Sequence, residues 1–187
     1  MAGGKSRRFG RNKTVEVFGG KGLINHCLEG IKSFCDPLCV VVNDLEPYRD
    51  LQVPLIRDLV AHQGPLGGIQ AALAWSPHDW VLIKAADMPF LVPGLLRMML
   101  DAATDADLVV PVHSRGFEPL LALYNRRCLP AVDFLLQGNR RSVTALFEMV
   151  RFKTIGEHLW RLVDERGQSF VNVNTPKDFA DLIANCG

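Results

Sequence analysis

The chain has 187 residues, 48% of them apolar and 22% charged, with a formal net charge of +1. That length predicts a single domain spanning residues 1–187 with a substantial core, and the composition excludes a disordered chain. A near-neutral balance gives no reason to expect nucleic acid as a partner. There is no signal peptide, and the apolar runs are far shorter than a membrane span, so a cytoplasmic protein with no membrane contact is expected.

The chain opens on Met1-Ala-Gly-Gly-Lys-Ser-Arg-Arg-Phe-Gly-Arg-Asn-Lys13, with three glycines and five basic residues in thirteen positions. Such a stretch buries little. Its glycines let backbone N–H groups approach a ligand closely, and with Lys and Arg beside them they suit a phosphate chain. The plainer alternative is a basic tail.

Val15 to Phe18 is a short apolar segment ending at Gly19-Gly20-Lys21-Gly22, and Leu23 to Phe34 has the spacing of a helix. Leu38 to Val42 is a continuous apolar run, as in a strand covered on both faces, and Val53 to Ile56 is a second. Gly64-Pro-Leu-Gly-Gly68 reads as a turn opening an Ala-rich helix from Ile69 to Trp75, with small residues where a flat group or another backbone comes close. Trp80 to Ala86 is a strand ending at Asp87-Met-Pro-Phe90, and Pro93 starts a helix to about Ala103. Leu108 to Val112 and Leu120 to Tyr124 read as strands around a turn at Gly116, followed by helices near Leu129–Leu136 and Val143–Val150. Phe170 to Val173 reads as a last strand, and Pro176 starts a terminal helix. Alternating strands and helices predict an α/β fold with a mostly parallel sheet.

Such sheets bind ligands at the carboxyl ends of their strands, which singles out Asn43, Asp58, Asp87 and Asn174. Asp87 beside Met88-Pro89 suits Mg²⁺, which takes one or two carboxylates plus phosphate oxygens; a turn-capping Asp is the alternative. A carboxylate at Asp58 could accept the paired N1 and N2 hydrogens of guanine, and Lys13 could hold β and γ phosphates; each could equally be a solvated charge. Arg140 and Arg141 could hold a second anion or simply line a solvated loop. The five cysteines (Cys27, Cys35, Cys39, Cys128, Cys186) are irregularly spaced and complete no zinc set, so reduced thiols are expected. No Walker loop and no Gly-x-Gly-x-x-Gly is present.

The opening loop resembles the Leu-Ala-Gly-Gly-x-Ser-x-Arg-Met-Gly-x-Asp-Lys loop of the nucleotidyltransferases. Together with Val40-Val-Val-Asn43, Gly64-Pro-Leu-Gly-Gly68, Ala86-Asp-Met-Pro-Phe90, Glu118-Pro119 and Phe170-Val-Asn-Val-Asn-Thr-Pro176, the chain resembles the molybdenum cofactor guanylyltransferases in particular. The resemblance implies a Rossmann-like three-layer α/β/α nucleotidyltransferase fold. It also implies an activity: GTP and molybdopterin cofactor give molybdopterin guanine dinucleotide and pyrophosphate, with Mg²⁺. Carried over by position, Met1, Ala2, Gly3, Gly4 and Lys13 would hold the triphosphate, Asn43 and Asp58 the nucleoside, and Asp87 the Mg²⁺; Lys13 and Asp87 would serve the chemistry. Asn172 and Asn174 would face the pterin. Protein partners would be those that deliver molybdopterin or receive the product, the molybdoenzymes.

Two departures from the pattern carry expectations of their own. Asn12 stands where the family has Asp. Family members also carry an apolar strand before the loop, whereas this chain starts at the loop. A truncated start is therefore expected; otherwise a different strand fills the gap or the loop is disordered. A related transferase using CTP or a sugar phosphate, and a non-catalytic nucleotide-binding relative, are the competing readings.

Overall fold

A computed structural model describes residues 1–2, 13–15, 17–18, 20–57 and 64–184. A short 3-10 turn, Lys13–Val15, leads into a hairpin of β1 (Val17–Phe18) and β2 (Lys21–Gly22), with Gly20 at φ +86° supplying the reversal. Helix α1 (Leu23–Ile31) follows directly and buries Leu23, Ile24, Cys27 and Ile31, one stripe at helical spacing. Strand β3 (Val40–Val42) is buried throughout and pairs in parallel with β4 (Leu55–Arg57).

Helix α2 (Pro65–Trp75) begins earlier than the sequence pattern suggests, so Gly67 and Gly68 lie inside its first turns. Gly64 precedes it at φ +69°, and Pro65 takes the first helical position, where no N–H is required. Strand β5 (Trp80–Lys84), helix α3 (Pro93–Asp101), strand β6 (Leu108–His113), strand β7 (Gly116–Phe117) and strand β8 (Leu121–Asn125) come next. They are followed by α4 (Leu129–Gln137), a 3-10 stretch (Val143–Glu148), β9 (Phe152–Ile155), the short α5 (Glu157–Trp160) and α6 (Pro176–Ala184).

The period-2 alternation of the strands sorts their side chains into two cores. Ile83, Leu108, Val110, Ala122 and Tyr124 pack with α2 and α4 on one face. Val109, Leu121, Leu123 and Ile155 pack with Leu95, Leu96 and Met99 of α3 on the other. This is the expected α/β/α layering, with helices covering both faces of one sheet system.

The pairing is more mixed than a mostly parallel sheet. Among the described strands only β3–β4 and β6–β9 are parallel, because β8 returns antiparallel between β5 and β6. The tight turn at Gly116 and the short link to Leu121 leave no room for the crossover helix a parallel neighbour would need.

Three local expectations change as well. Phe170–Val173 is not a strand: Gln168–Phe170 forms a 3-10 turn, and the chain then runs on without ladder partners. Val143–Val150 is 3-10 over Val143–Glu148, not an α-helix. Strand β9 carries no apolar run in the sequence, because Phe152, Lys153 and Thr154 are exposed.

Among the described residues β3 and β5 belong to separate ladders, with a gap between them. Among the described residues no further strand fills this gap. The hydrogen bonds across it run through Met1 and Ala2. Beneath them lies an apolar cleft of about 220 Å³, lined by Ile24, Leu28, Leu38, Val40, Val81 and Ile83 among others. The remaining expectation for this region, a disordered loop, concerns residues 3–12 and lies outside the described residues.

Candidate functional site

Met1 and Ala2 are held as two residues of a strand. The α-ammonium of Met1 donates to the Lys84 carbonyl (2.7 Å), the Met1 carbonyl accepts from Ala86 N–H (2.9 Å), and Ala2 N–H donates to the Val41 carbonyl (2.9 Å). A residue that donates to one partner and accepts from the residue two further on is paired in parallel. Met1 and Ala2 therefore run in the same direction as β3 and β5, and the chain leaves Ala2 at the carboxyl edge of both. That edge is where an open α/β sheet takes its ligands.

The strand ends on either side supply Asn43, just after β3, and Asp87, three residues after β5. With Met1–Ala2 between them, the β3 and β5 backbones are two strand spacings apart, about 10 Å. A span of that size matches one nucleotide. Asn43 is exposed and Asp87 half-buried. Gly68 of α2 abuts this edge: a Cβ there would collide with the Met1 side chain, so the close approach expected at the Gly-Pro-Leu-Gly-Gly segment is to Met1.

Two further residues, not singled out from sequence, organise the same corner. The buried Tyr48 hydroxyl donates to the Ala2 carbonyl (2.8 Å) and lies 2.5 Å from Thr14 Oγ1, also buried. Its single proton goes to Ala2, so Thr14 is the donor in the second bond. Ala2 and Thr14 are thus tied to one side chain. Glu46-Pro47-Tyr48 lies in a 3-10 turn between β3 and β4, and nothing in its local pattern separates it from an ordinary loop.

The pterin-side candidates reach this edge through Val173, whose N–H donates to the Asp87 carbonyl (2.8 Å). Asn172 and Asn174 flank it, the first half-buried and the second exposed. The Asp178 carboxylate accepts from the N–H groups of Asn174 and Thr175 (2.8 Å each), while Thr175 Oγ1 accepts from Asp178 N–H (3.0 Å). This is a reciprocal cap on the start of α6, and it sets the path of the Asn174 backbone. The backbone bonds from Asn174, together with the Thr175 hydroxyl, hold the Asp178 carboxyl below its ordinary range. Upstream, the buried Asp164 accepts from Gln168 and Ser169 N–H (2.8 and 2.9 Å), and Ser169 Oγ accepts from Val92 N–H (2.9 Å). Ser169 and Val173 thereby attach this stretch to the connection between β5 and α3.

Of the other residues expected at the site, Lys13 begins the 3-10 turn that follows the loop, next to Thr14. Gly3, Gly4, Asn12 and Asp58 lie outside the described residues. Arg140 pairs with Glu148 (3.3 Å), and Arg141 donates to Asn139 (3.1 Å); both arginines are exposed in a surface loop. Among the described residues no cluster of three His, Cys, Asp or Glu side chains forms a ready-made metal cage. A single carboxylate at a strand end nevertheless fits Mg²⁺, which takes the rest of its shell from phosphate and water.

Residues 1–154 match the MobA-like NTP transferase domain. The chain is 36% identical over 180 residues to a molybdenum cofactor guanylyltransferase of Desulfosudis oleivorans, covering 95% of this chain and 89% of that protein. The chain belongs to the molybdenum cofactor guanylyltransferase family. A second relative, a probable molybdenum cofactor guanylyltransferase of Pelotomaculum thermopropionicum, is 32% identical over 95% of this chain and 87% of its own length.

Among solved structures, molybdopterin-guanine dinucleotide biosynthesis protein A from Archaeoglobus fulgidus superposes with a TM-score of 0.83 at 28% identity, over 99% of this chain and 95% of that one. A 2-C-methyl-D-erythritol 4-phosphate cytidylyltransferase from Thermus thermophilus gives 0.69 at 15% identity, over 93% of both chains, and shares the fold alone. The guanylyltransferase family match extends past residue 154, where the domain match stops, so it takes in most of the segment that carries Asn172 and Asn174. No helix among the described residues is long and apolar enough to cross a membrane.

Proposed function

We propose that this protein, as one domain, transfers GMP from GTP to molybdopterin, forming molybdopterin guanine dinucleotide and releasing pyrophosphate. The observation that carries the site assignment is the parallel seating of Met1–Ala2 between β3 and β5, the strands that Asn43 and Asp87 follow. Ala2 lies at an edge that offers one carboxylate and one amide, and the glycine-rich, basic 3–13 stretch follows it in the sequence.

In this reading a phosphate oxygen of molybdopterin attacks the α-phosphorus of GTP. One P–O bond forms there, the bond to the β-phosphate bridge breaks, and pyrophosphate leaves with the electron pair. No protein nucleophile is required. Met1 and Ala2, whose nitrogens already donate to the Lys84 and Val41 carbonyls, anchor the start of the triphosphate site, and Gly3, Gly4 and Lys13 hold the triphosphate through backbone N–H groups and one ammonium, which also stabilises the charge growing on the leaving group. Asn43 and Asp58 hold the nucleoside. Asn172 and Asn174 present amides to the pterin, on a segment bonded to the Asp87 backbone.

Asp87 is the residue that would hold Mg²⁺, which when bound neutralises phosphate charge and polarises the reacting phosphoryl group. Proteins that deliver molybdopterin or accept the dinucleotide would be the partners, and the cytoplasm the location. Nucleotide competition tests the assignment: GTP should displace a bound fluorescent guanine nucleotide far better than CTP. Preference for CTP would place the chain with the cytidylyl enzymes whose fold it shares.

A further inference from the structure

Lys84, the last residue of β5, is only 4% exposed, and its Nζ donates to Cys27 Sγ on α1 at 3.3 Å. Cys27 is equally buried, and its thiol donates to the Ala85 carbonyl at 3.7 Å. The thiol proton is thus turned toward the carbonyl, and a sulfur lone pair faces the lysine nitrogen. A lysine this deep ordinarily meets a carboxylate. Here the partner that the described residues give its side chain is a thiol. Both side chains line the cleft between α1, β3 and β5, which gives a small oxidant a route to them. Neither group has a part in the nucleotidyl transfer.

We propose that Cys27 and Lys84 form an oxidative modification site, in which a peroxide joins Sγ to Nζ as a sulfenamide. The sulfur donates an electron pair to one peroxide oxygen and the O–O bond breaks. That oxygen stays on sulfur as the sulfenic acid, and the other leaves as water. The Lys84 amine then attacks the sulfur, the S–O bond breaks, and the hydroxide leaves with an amine proton as a second water. One thiol, one amine and one peroxide become one S–N bond and two waters; sulfur is oxidised by two electrons and the peroxide is reduced. The bond would tie α1 to the end of β5, three residues before Asp87.

The test treats the whole protein with hydrogen peroxide, alkylates free thiols, digests with trypsin without reductant and reads the peptides by mass spectrometry. The expected product joins the Cys27 peptide to one carrying an uncleaved Lys84, two hydrogens lighter than the two free peptides together. A thiol reductant should restore both. Cys27→Ser and, independently, Lys84→Met should each abolish the product. Cys27 sulfinic acid, a disulfide from Cys27 to another cysteine, an oxygen-bridged link, or a bond to the Met1 amine with Lys84 still cleavable would each overturn the proposal.

Discussion

The Tyr48 hydroxyl donates to the Ala2 carbonyl at 2.8 Å and accepts from Thr14 Oγ1, so one buried side chain joins Ala2 to Thr14. Tyr48→Phe removes that oxygen and leaves a buried carbonyl and a buried hydroxyl without this partner, a cost of about 1–3 kcal/mol. The variant should unfold at lower denaturant and show a KM for GTP raised several-fold, with a smaller change in kcat. A lowered stability with an unchanged KM for GTP would restrict Tyr48 to a structural role.

Asp87 serves the fold through its backbone, whose carbonyl accepts from Val173 N–H, and the proposed chemistry through its half-buried carboxylate. Asp87→Asn keeps the backbone bond and removes the charge. Its circular dichroism and unfolding midpoint should match the parent, while pyrophosphate release falls by about 10²–10³-fold, the scale of losing one electrostatic contact to the transition state.

Asp178→Ala removes the acceptor for the Asn174 and Thr175 N–H groups. Loss of this cap should cost about 1 kcal/mol of stability. Because the cap sets the Asn174 backbone, the KM for molybdopterin should rise while that for GTP stays unchanged. Equal changes in both would separate Asn174 from the pterin.

The residues legible in the sequence were those whose physics is local. Val40–Val42 reads as a buried strand because every position is apolar, and Pro93 and Pro176 mark helix starts because proline suits the first helical position. What escaped depends on distant partners. Strand β9 exists because Phe152–Ile155 pairs with Leu108–Pro111, although three of its four residues face solvent. Phe170–Val173 has strand-like residues but is held by side chains and by one bond to Asp87 rather than by a ladder. At the site, Asn43 and Asp87 followed from the rule that ligands gather at strand carboxyl ends. Tyr48 did not, because its importance lies in a contact 46 residues away in sequence.

Asp107 joins three strands at the end of the sheet away from the candidate site. Its carboxylate takes hydrogen bonds from Arg151 (3.0 and 3.1 Å) and Arg127 (2.7 Å), which outweigh partial desolvation and hold the carboxyl at about 2, against an ordinary 3.8. A lowered folded-state value means the unfolded chain binds the proton first as pH falls. The stabilisation is therefore complete above about pH 4 and is lost between there and pH 2. With both arginines largely exposed and screened, it amounts to about 1–2 kcal/mol. Denaturant unfolding of Asp107→Asn should show that deficit at pH 7, shrinking toward zero as pH approaches 2. A deficit independent of pH would show that the charge is not its source.

The most direct measurement of the central claim supplies the protein with molybdopterin, Mg²⁺ and GTP labelled at the α-phosphate. The label should move from GTP into a pterin dinucleotide with equal release of pyrophosphate, more slowly with CTP and to a negligible extent in Asp87→Asn. Binding of GTP without label transfer, or transfer undiminished in Asp87→Asn, would contradict the account.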